Sequence, residues 1–158
     1  MADATRARSI SIEAEVGRLA DVRAFVREHA ARAGADDETT ADLVQAVDEL
    51  VCNVIQHGYA GDQGRIEVVA SQSDDELAFA IRDDAPLFDP TTVPDPPVDL
   101  PLDRRPLGGM GVHLARALTD RFDHRMLPRG GNEVTVAKRL RTVTGGLGDG
   151  HHDRPAEG

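Results

Sequence analysis

Between Asp37 and His57 the apolar residues Leu43, Val44, Val47, Leu50, Val51, Val54 and Ile55 recur at three- and four-residue intervals, and Gly58 follows. At about 100° per residue they fill one continuous arc, so the segment predicts a long helix with a single buried face. Such a helix must lie against another apolar surface, and that demand governs the rest of the chain. Its other side carries Asp42, Gln45, Glu49 and Asn53, with Glu49 and Asn53 one turn apart and able to meet. Taken alone this is a solvated polar stripe. It is equally a carboxylate placed to take a proton beside an amide oxygen suited to Mg²⁺.

The partner surface is visible on both sides of this helix. Ser9 to Glu13 alternates, with Ile10 and Ile12 on one side, and predicts a short strand; Glu15 to Ala33 repeats Leu19, Val22, Phe25, Val26 and Ala30 at helical spacing and stops at Gly34. Arg65–Ser71 and Glu76–Arg82 read as a hairpin turned at Ser73-Asp74-Asp75. A helix through Val112, Leu114, Ala115 and Leu118 follows Gly108-Gly109-Met110-Gly111. A second hairpin joins Arg121–Leu127 to Glu133–Leu140 through Pro128-Arg129-Gly130-Gly131-Asn132. The order predicts an α/β fold of the α+β two-layer sandwich type: a mixed, mainly antiparallel sheet with helices on one face. Seven of the nine prolines fall between Asp83 and Leu107, where no periodicity persists, so a long functional or mobile loop is expected there. Residues 1–140 form the expected domain, and 141–158, poor in apolar side chains, an expected disordered tail.

Composition removes several chemistries. Of 18 basic residues the only lysine is Lys138, preceded by Ala137, so a GxxxxGK[ST] phosphate loop is absent and lysine-based catalysis has one unpromising candidate. The formal charge of −10 argues against general binding to nucleic acid or anionic membrane and for a protein partner. Six acids on and before the long helix, Asp36, Asp37, Glu38, Asp42, Asp48 and Glu49, suggest where such a partner docks. Cys52 stands alone, which excludes an intrachain disulfide and a cysteine-rich metal site. No stretch has signal-peptide or membrane-span character, so a soluble cytoplasmic protein is expected. With aromatics at 3%, the core rests on Val, Leu, Ile and Ala.

Two further segments join the polar stripe. The strand ending at Ile81 runs into Arg82-Asp83-Asp84-Ala85-Pro86-Leu87-Phe88-Asp89-Pro90, where a carboxylate can accept a hydrogen bond from an exocyclic amine, or simply make an Asp-Pro turn. Gly108-Gly109-Met110-Gly111 opens into a helix, an arrangement that can hold an anion on backbone N–H groups or serve as plain loop chemistry. His57 is read as packing at the helix end, His113 as incidental to the helix start, and His151 and His152 as tail residues.

In this order, Glu49-Leu50-Val51-Cys52-Asn53-Val54-Ile55-Gln56-His57-Gly58-Tyr59, the Asp83–Pro90 segment and Gly108–Leu114 resemble the GHKL ATPase superfamily. The resemblance is strongest to its small bacterial anti-sigma factors that are also serine-protein kinases, and covers roughly residues 8 to 140. It implies a Bergerat-type ATP-binding fold with ATP and Mg²⁺ as cofactors. Glu49 matches the general base, Asn53 the Mg²⁺-holding residue, Asp83 the acid that pairs with the adenine amino group, and Gly109 and Gly111 the glycines flanking a lid. The stretch from Asp89 to Leu107 would be that lid, with Arg104 or Arg105 as a phosphate contact.

Two positions depart from the pattern. Ala85 replaces the glycine of D-x-G, where a methyl group would crowd the base if close approach or positive φ were required. Asn132 stands in a Gly-Asn-Glu sequence where such proteins often have Gly-Thr-Thr. The implied partners are a sigma factor and an antagonist protein phosphorylated on serine, and the resemblance also admits a homodimer. The other readings are an inactive GHKL-fold module that only sequesters a partner, with Ala85 and Asn132 as marks of a decayed pocket, and an acidic interaction domain without nucleotide.

Overall fold

The apolar arc of the long helix meets a five-stranded sheet. The computed structural model describes residues 8–86 and 109–141. In chain order these form β1 (Arg8–Glu13), a 3₁₀ turn (Val16–Arg18), α1 (Leu19–Arg32), α2 (Asp37–Asn53), a π turn (Val54–Gly58), β2 (Arg65–Gln72), β3 (Glu76–Asp83), α3 (Gly109–Ala117), β4 (Arg121–Met126) and β5 (Asn132–Arg139). The strands lie in the order β1-β2-β3-β5-β4, and every neighbouring pair is antiparallel, the limiting case of the mainly antiparallel sheet expected. The lid expected between Asp89 and Leu107, with Arg104 and Arg105, lies outside the described residues, as does the expected tail from residue 142.

Strand alternation puts Ile66, Val68 and Ala70 of β2, Leu77, Phe79 and Ile81 of β3, and Val134 and Val136 of β5 in the core under the helices. α2 lies between α1 and α3 and supplies Leu43, Val47, Leu50 and Val51 to that core. Each such side chain is worth about 1.5–3 kcal/mol when buried, against roughly 0.2–0.5 kcal/mol for a surface pair one helical turn apart. The apolar arc therefore sets the rotation of α2, and the polar stripe follows wherever that rotation places it.

The ends of the helices differ from expectation in instructive ways. α1 starts at Leu19 because Val16–Arg18 winds as a 3₁₀ turn, and it stops as expected at Gly34, φ +74°, with Ala35 N–H donating to the Ala30 carbonyl at 3.0 Å. α2 is capped by Asp36, whose side chain accepts from Thr39 N–H at 2.7 Å; that bond holds its carboxyl below the usual carboxylate range. α2 also ends early. The expected last turn to His57 widens into the π turn, closed by Tyr59 N–H to the Val54 carbonyl at 2.8 Å. Tertiary contact explains the change: Gly58 sits against Ala85, and the Tyr59 hydroxyl donates to the Arg65 carbonyl at 2.7 Å.

Three of the six acids on and before α2 have partners within the fold, while Asp37 and Glu38 are exposed in its first turn. Asp36 is the cap, Asp48 accepts from Arg23 Nε at 2.6 Å, and Asp42 pairs with Lys138 of β5. The single lysine thus joins α2 to the sheet. On the sheet face away from the helices, Glu67, Arg82, Glu133 and Arg125 line up across four strands. Arg82 donates to Glu133 at 2.6 Å and Glu67 at 3.0 Å, and Arg125 donates to Glu133 at 3.1 Å. Among the described residues no helix is long and apolar enough to cross a membrane.

Candidate functional site

Because β3 is the central strand, its last residue is the natural floor of any cleft at this end of the sheet. A cleft of about 180 Å³ opens there. Its floor is Ile81, Asp83 and Val134; one wall is Leu50, Asn53 and Val54 of α2 and the π turn; Ala85, Pro86 and Asn132 complete it.

Asp83 closes β3 opposite Asn132 on β5 and is 5% exposed. The sequence left two adjacent acids in contention, and strand parity decides between them. Asp83 points under the helices, whereas Asp84 is exposed and uses its N–H to donate to the Tyr59 hydroxyl at 2.8 Å. Burial pushes the Asp83 carboxyl above its ordinary value, opposed by hydrogen bonds to Oδ1 from Asn132 Nδ2 at 3.1 Å and Ala85 N–H at 2.9 Å.

The two departures both fit the site. Among the described residues Ala60 is the only non-glycine with positive φ, so Ala85 carries no backbone strain of that kind. Its methyl is buried and takes the room left by Gly58, where a side-chain carbon would stand 3.1 Å away. Asn132 is buried as well: Nδ2 also faces the Ala85 and Pro86 carbonyls at 3.4 and 3.2 Å, and Oδ1 faces His124 Nε2 at 3.2 Å.

Glu49 and Asn53 lie one turn apart on the half-buried side of α2. Asn53 lines the cleft, while Glu49 lies one turn back beside α3. There Gln45 Nε2 donates to Glu49 Oε1 at 2.8 Å, and Oε2 would stand 2.7 Å from any side-chain carbon at Gly111. The glycine is what lets the carboxylate rest against the first turn of α3. Gly109 is the first residue of that helix, so the glycines form its opening turn instead of preceding it. His57 is exposed at the cleft rim, where packing at the helix end was expected.

Asn53 supplies a hard oxygen donor, and among the described residues no group of three His, Cys, Asp or Glu side chains gathers as a metal cage. That donor set fits a Mg²⁺ that arrives already bound to phosphate oxygens. Three residues were missed as contributors. Tyr59 ties the loop after α2 to the Asp83 turn, His124 reaches Asn132 from β4, and Gly131, at φ +96°, lets β5 approach so closely that any side chain there would overlap the Asp83 carbonyl. Tyr59 closes the motif string that begins at Glu49 and Gly131 is half of a Gly-Gly turn, whereas His124 gave no signal.

The family model for the histidine kinase-like ATPase domain matches residues 12–138, which takes in every described element of this architecture except the first strand's opening residues and the last residue of β5. The chain belongs to the histidine kinase-like ATPase domain family. Within it, the chain is similar to proteins named serine-protein kinase RsbW from Bacillus mycoides and Bacillus cereus. Each is 28% identical over 115 residues, covering 70% of this chain and 72% of the relative. It is also similar in structure to the RsbU and RsbW domains of Rv1364c from Mycobacterium tuberculosis, with TM-score 0.58 and 28% identity over 84% of this chain. The match spans 32% of that longer chain. The histidine kinase-like ATPase fold thus accounts for the sheet, the helices over it and the cleft between them.

Proposed function

We propose that the protein is an ATP-dependent serine-protein kinase that acts as an anti-sigma factor and phosphorylates an antagonist protein in a partner-switching transcription regulator. The observation that carries this reading is a buried Asp83 in a largely apolar cleft whose wall includes Asn53, with Glu49 one turn back from Asn53 on α2. An apolar slot ending in a carboxylate suits a flat base with an amino group, and the polar stripe lies where its phosphates would emerge.

In this reading Asp83 accepts from the base, and Ala85, Leu50 and Val134 bury its faces. Asn53 would hold Mg²⁺, which would offset negative charge on the phosphates. The Gln45 amide occupies Glu49 Oε1 and leaves Oε2 to take the proton from an incoming serine hydroxyl. Gly109 opens α3, and Gly111 leaves its first turn without a side chain at the point where that carboxylate rests. A phosphate added to the antagonist would weaken its hold on a protein of formal charge −10 and release the regulator to bind a sigma factor. The good fit of Ala85 and Asn132 speaks for an intact pocket over a decayed one.

The test is incubation with Mg·ATP and candidate antagonists, followed by mass spectrometry for phosphoserine. Wild-type protein transfers phosphate; Glu49→Ala loses nearly all transfer and keeps ATP binding, and Asn53→Ala loses Mg²⁺-dependent binding itself. Transfer by Glu49→Ala at the wild-type rate would remove the assigned base, and no binding at millimolar ATP would sink the reading.

A further inference from the structure

We propose that Asn132 and His124 form a positioning relay that fixes the Asp83 carboxylate and so sets which base edge the cleft accepts. The selectivity half of this proposal rests on the nucleotide reading above; the relay itself does not.

The orientation of the Asn132 amide follows from its neighbours. Nδ2 lies within 3.1–3.4 Å of Asp83 Oδ1 and the carbonyls of Ala85 and Pro86, all acceptors. Turning the amide over would set an oxygen against three oxygens, so the nitrogen belongs on that side. Oδ1 is then the atom that faces His124 Nε2 at 3.2 Å, and this contact is a hydrogen bond only if Nε2 carries a proton. The sense of the chain is therefore fixed: His124 donates to Asn132, and Asn132 donates to Asp83. It crosses three strands on one face of the sheet. Asn132 stands directly opposite Asp83, and His124, opposite Val134, reaches Asn132 on the diagonal.

The consequence lies in what is left of Asp83. Both of its donors, Ala85 N–H and Asn132 Nδ2, converge on Oδ1, and among the described residues none bonds Oδ2. A carboxylate anchored by one oxygen presents the other as a fixed acceptor. Beside the apolar side chains of Leu50, Val54, Ile81 and Val134, an amino group meeting that oxygen is satisfied, and a carbonyl sets two acceptors against each other. Asn132 itself offers nothing to the base, since its nitrogen and its oxygen are both engaged. It was expected as a cofactor-binding residue; its geometry makes it a positioning residue that acts through Asp83.

The experiment has two readouts on the full chain, in wild type, Asn132→Leu and His124→Phe. Without nucleotide, the Asp83 carboxyl titration is followed by carbon NMR; with nucleotide, calorimetry compares ATP with inosine triphosphate, which carries a carbonyl in place of the amino group. Loss of a donor to the charged carboxylate moves the Asp83 titration upward in both variants. The preference for ATP over inosine triphosphate falls about tenfold in Asn132→Leu and about threefold in His124→Phe. An unmoved Asp83 titration in His124→Phe, whose half-buried edge-strand position tolerates the change, overturns the relay. A shifted titration with unchanged preference overturns its role in selectivity. Failure of the wild type to bind either nucleotide overturns the selectivity half and the nucleotide reading together, and the titration still decides the relay.

Discussion

At the floor of the cleft Asp83 is held by a backbone N–H, a buried amide and, through Asp84 and Tyr59, the loop that follows α2. One turn back along α2 from the cleft-lining Asn53, Glu49 has a single hydrogen bond from an exposed glutamine and otherwise rests against a glycine. The first region is built on the sheet and closed by contacts from four separate segments. The second is built between two helices, α2 and α3. The proposed recognition end is thus tied by hydrogen bonds across strands and turns, whereas the proposed base sits at a contact between two helices.

The comparison is broken or sharpened by substitutions at each end. Glu49→Gln keeps size and loses basicity, so phosphoserine formation falls by about 10²–10⁴, with ATP affinity unchanged in calorimetry. A matching loss of affinity would mean that Glu49 belongs to the rigid end. Gly131→Ala attacks that end from behind: the new carbon overlaps the Asp83 carbonyl and demands an unfavourable φ, at a cost of about 3 kcal/mol or more in denaturant unfolding. A near-neutral result would show that the frame is soft. Tyr59→Phe removes one hydroxyl that bonds both Arg65 and Asp84 and costs about 1–2 kcal/mol of stability with a several-fold loss in ATP affinity. At the chemical end Gln45→Ala changes stability by only about 0.5 kcal/mol, and lowers turnover without altering the KM for ATP.

A pH dependence separates the sheet from the helices. Burial alone would raise the Glu133 carboxyl, but Arg125 and Arg82 outweigh it and hold it below its ordinary value of 4.5. A depressed folded-state value means that the contribution to stability is present above the ordinary value and is lost as pH falls through the folded one. The melting temperature therefore drops below about pH 4.5, and Glu133→Gln flattens that drop. The same slope in the variant would place the acid-sensitive group elsewhere.

Much of the fold was legible because its signals are local. The arc on α2, the Gly34 stop and both hairpins follow from spacing within a few residues of each other, and the structure has all of them. What escaped was set at long range. The π turn depends on Gly58 meeting Ala85, 27 positions on, and no helical periodicity announces it. The acids of α2 looked free because Arg23 and Lys138, which pair with two of them, come from α1 and the last strand. Within the site, the choice between Asp83 and Asp84 needed the strand to be extended by one residue, and the link from His124 to Asp83 exists only once three strands are side by side. Glu49 and Asn53 were read as a pair, and they are one turn apart as expected, yet the rotation of α2 gives one to the cleft and the other to α3.

Gly58 and Ala85 divide between them the volume of one methyl group. Neither residue is then free to vary alone: alanine at 58 is disfavoured while alanine holds 85, and glycine at 85 opens a gap that only a larger residue at 58 fills. The two positions are therefore energetically coupled, and their substitutions will not add.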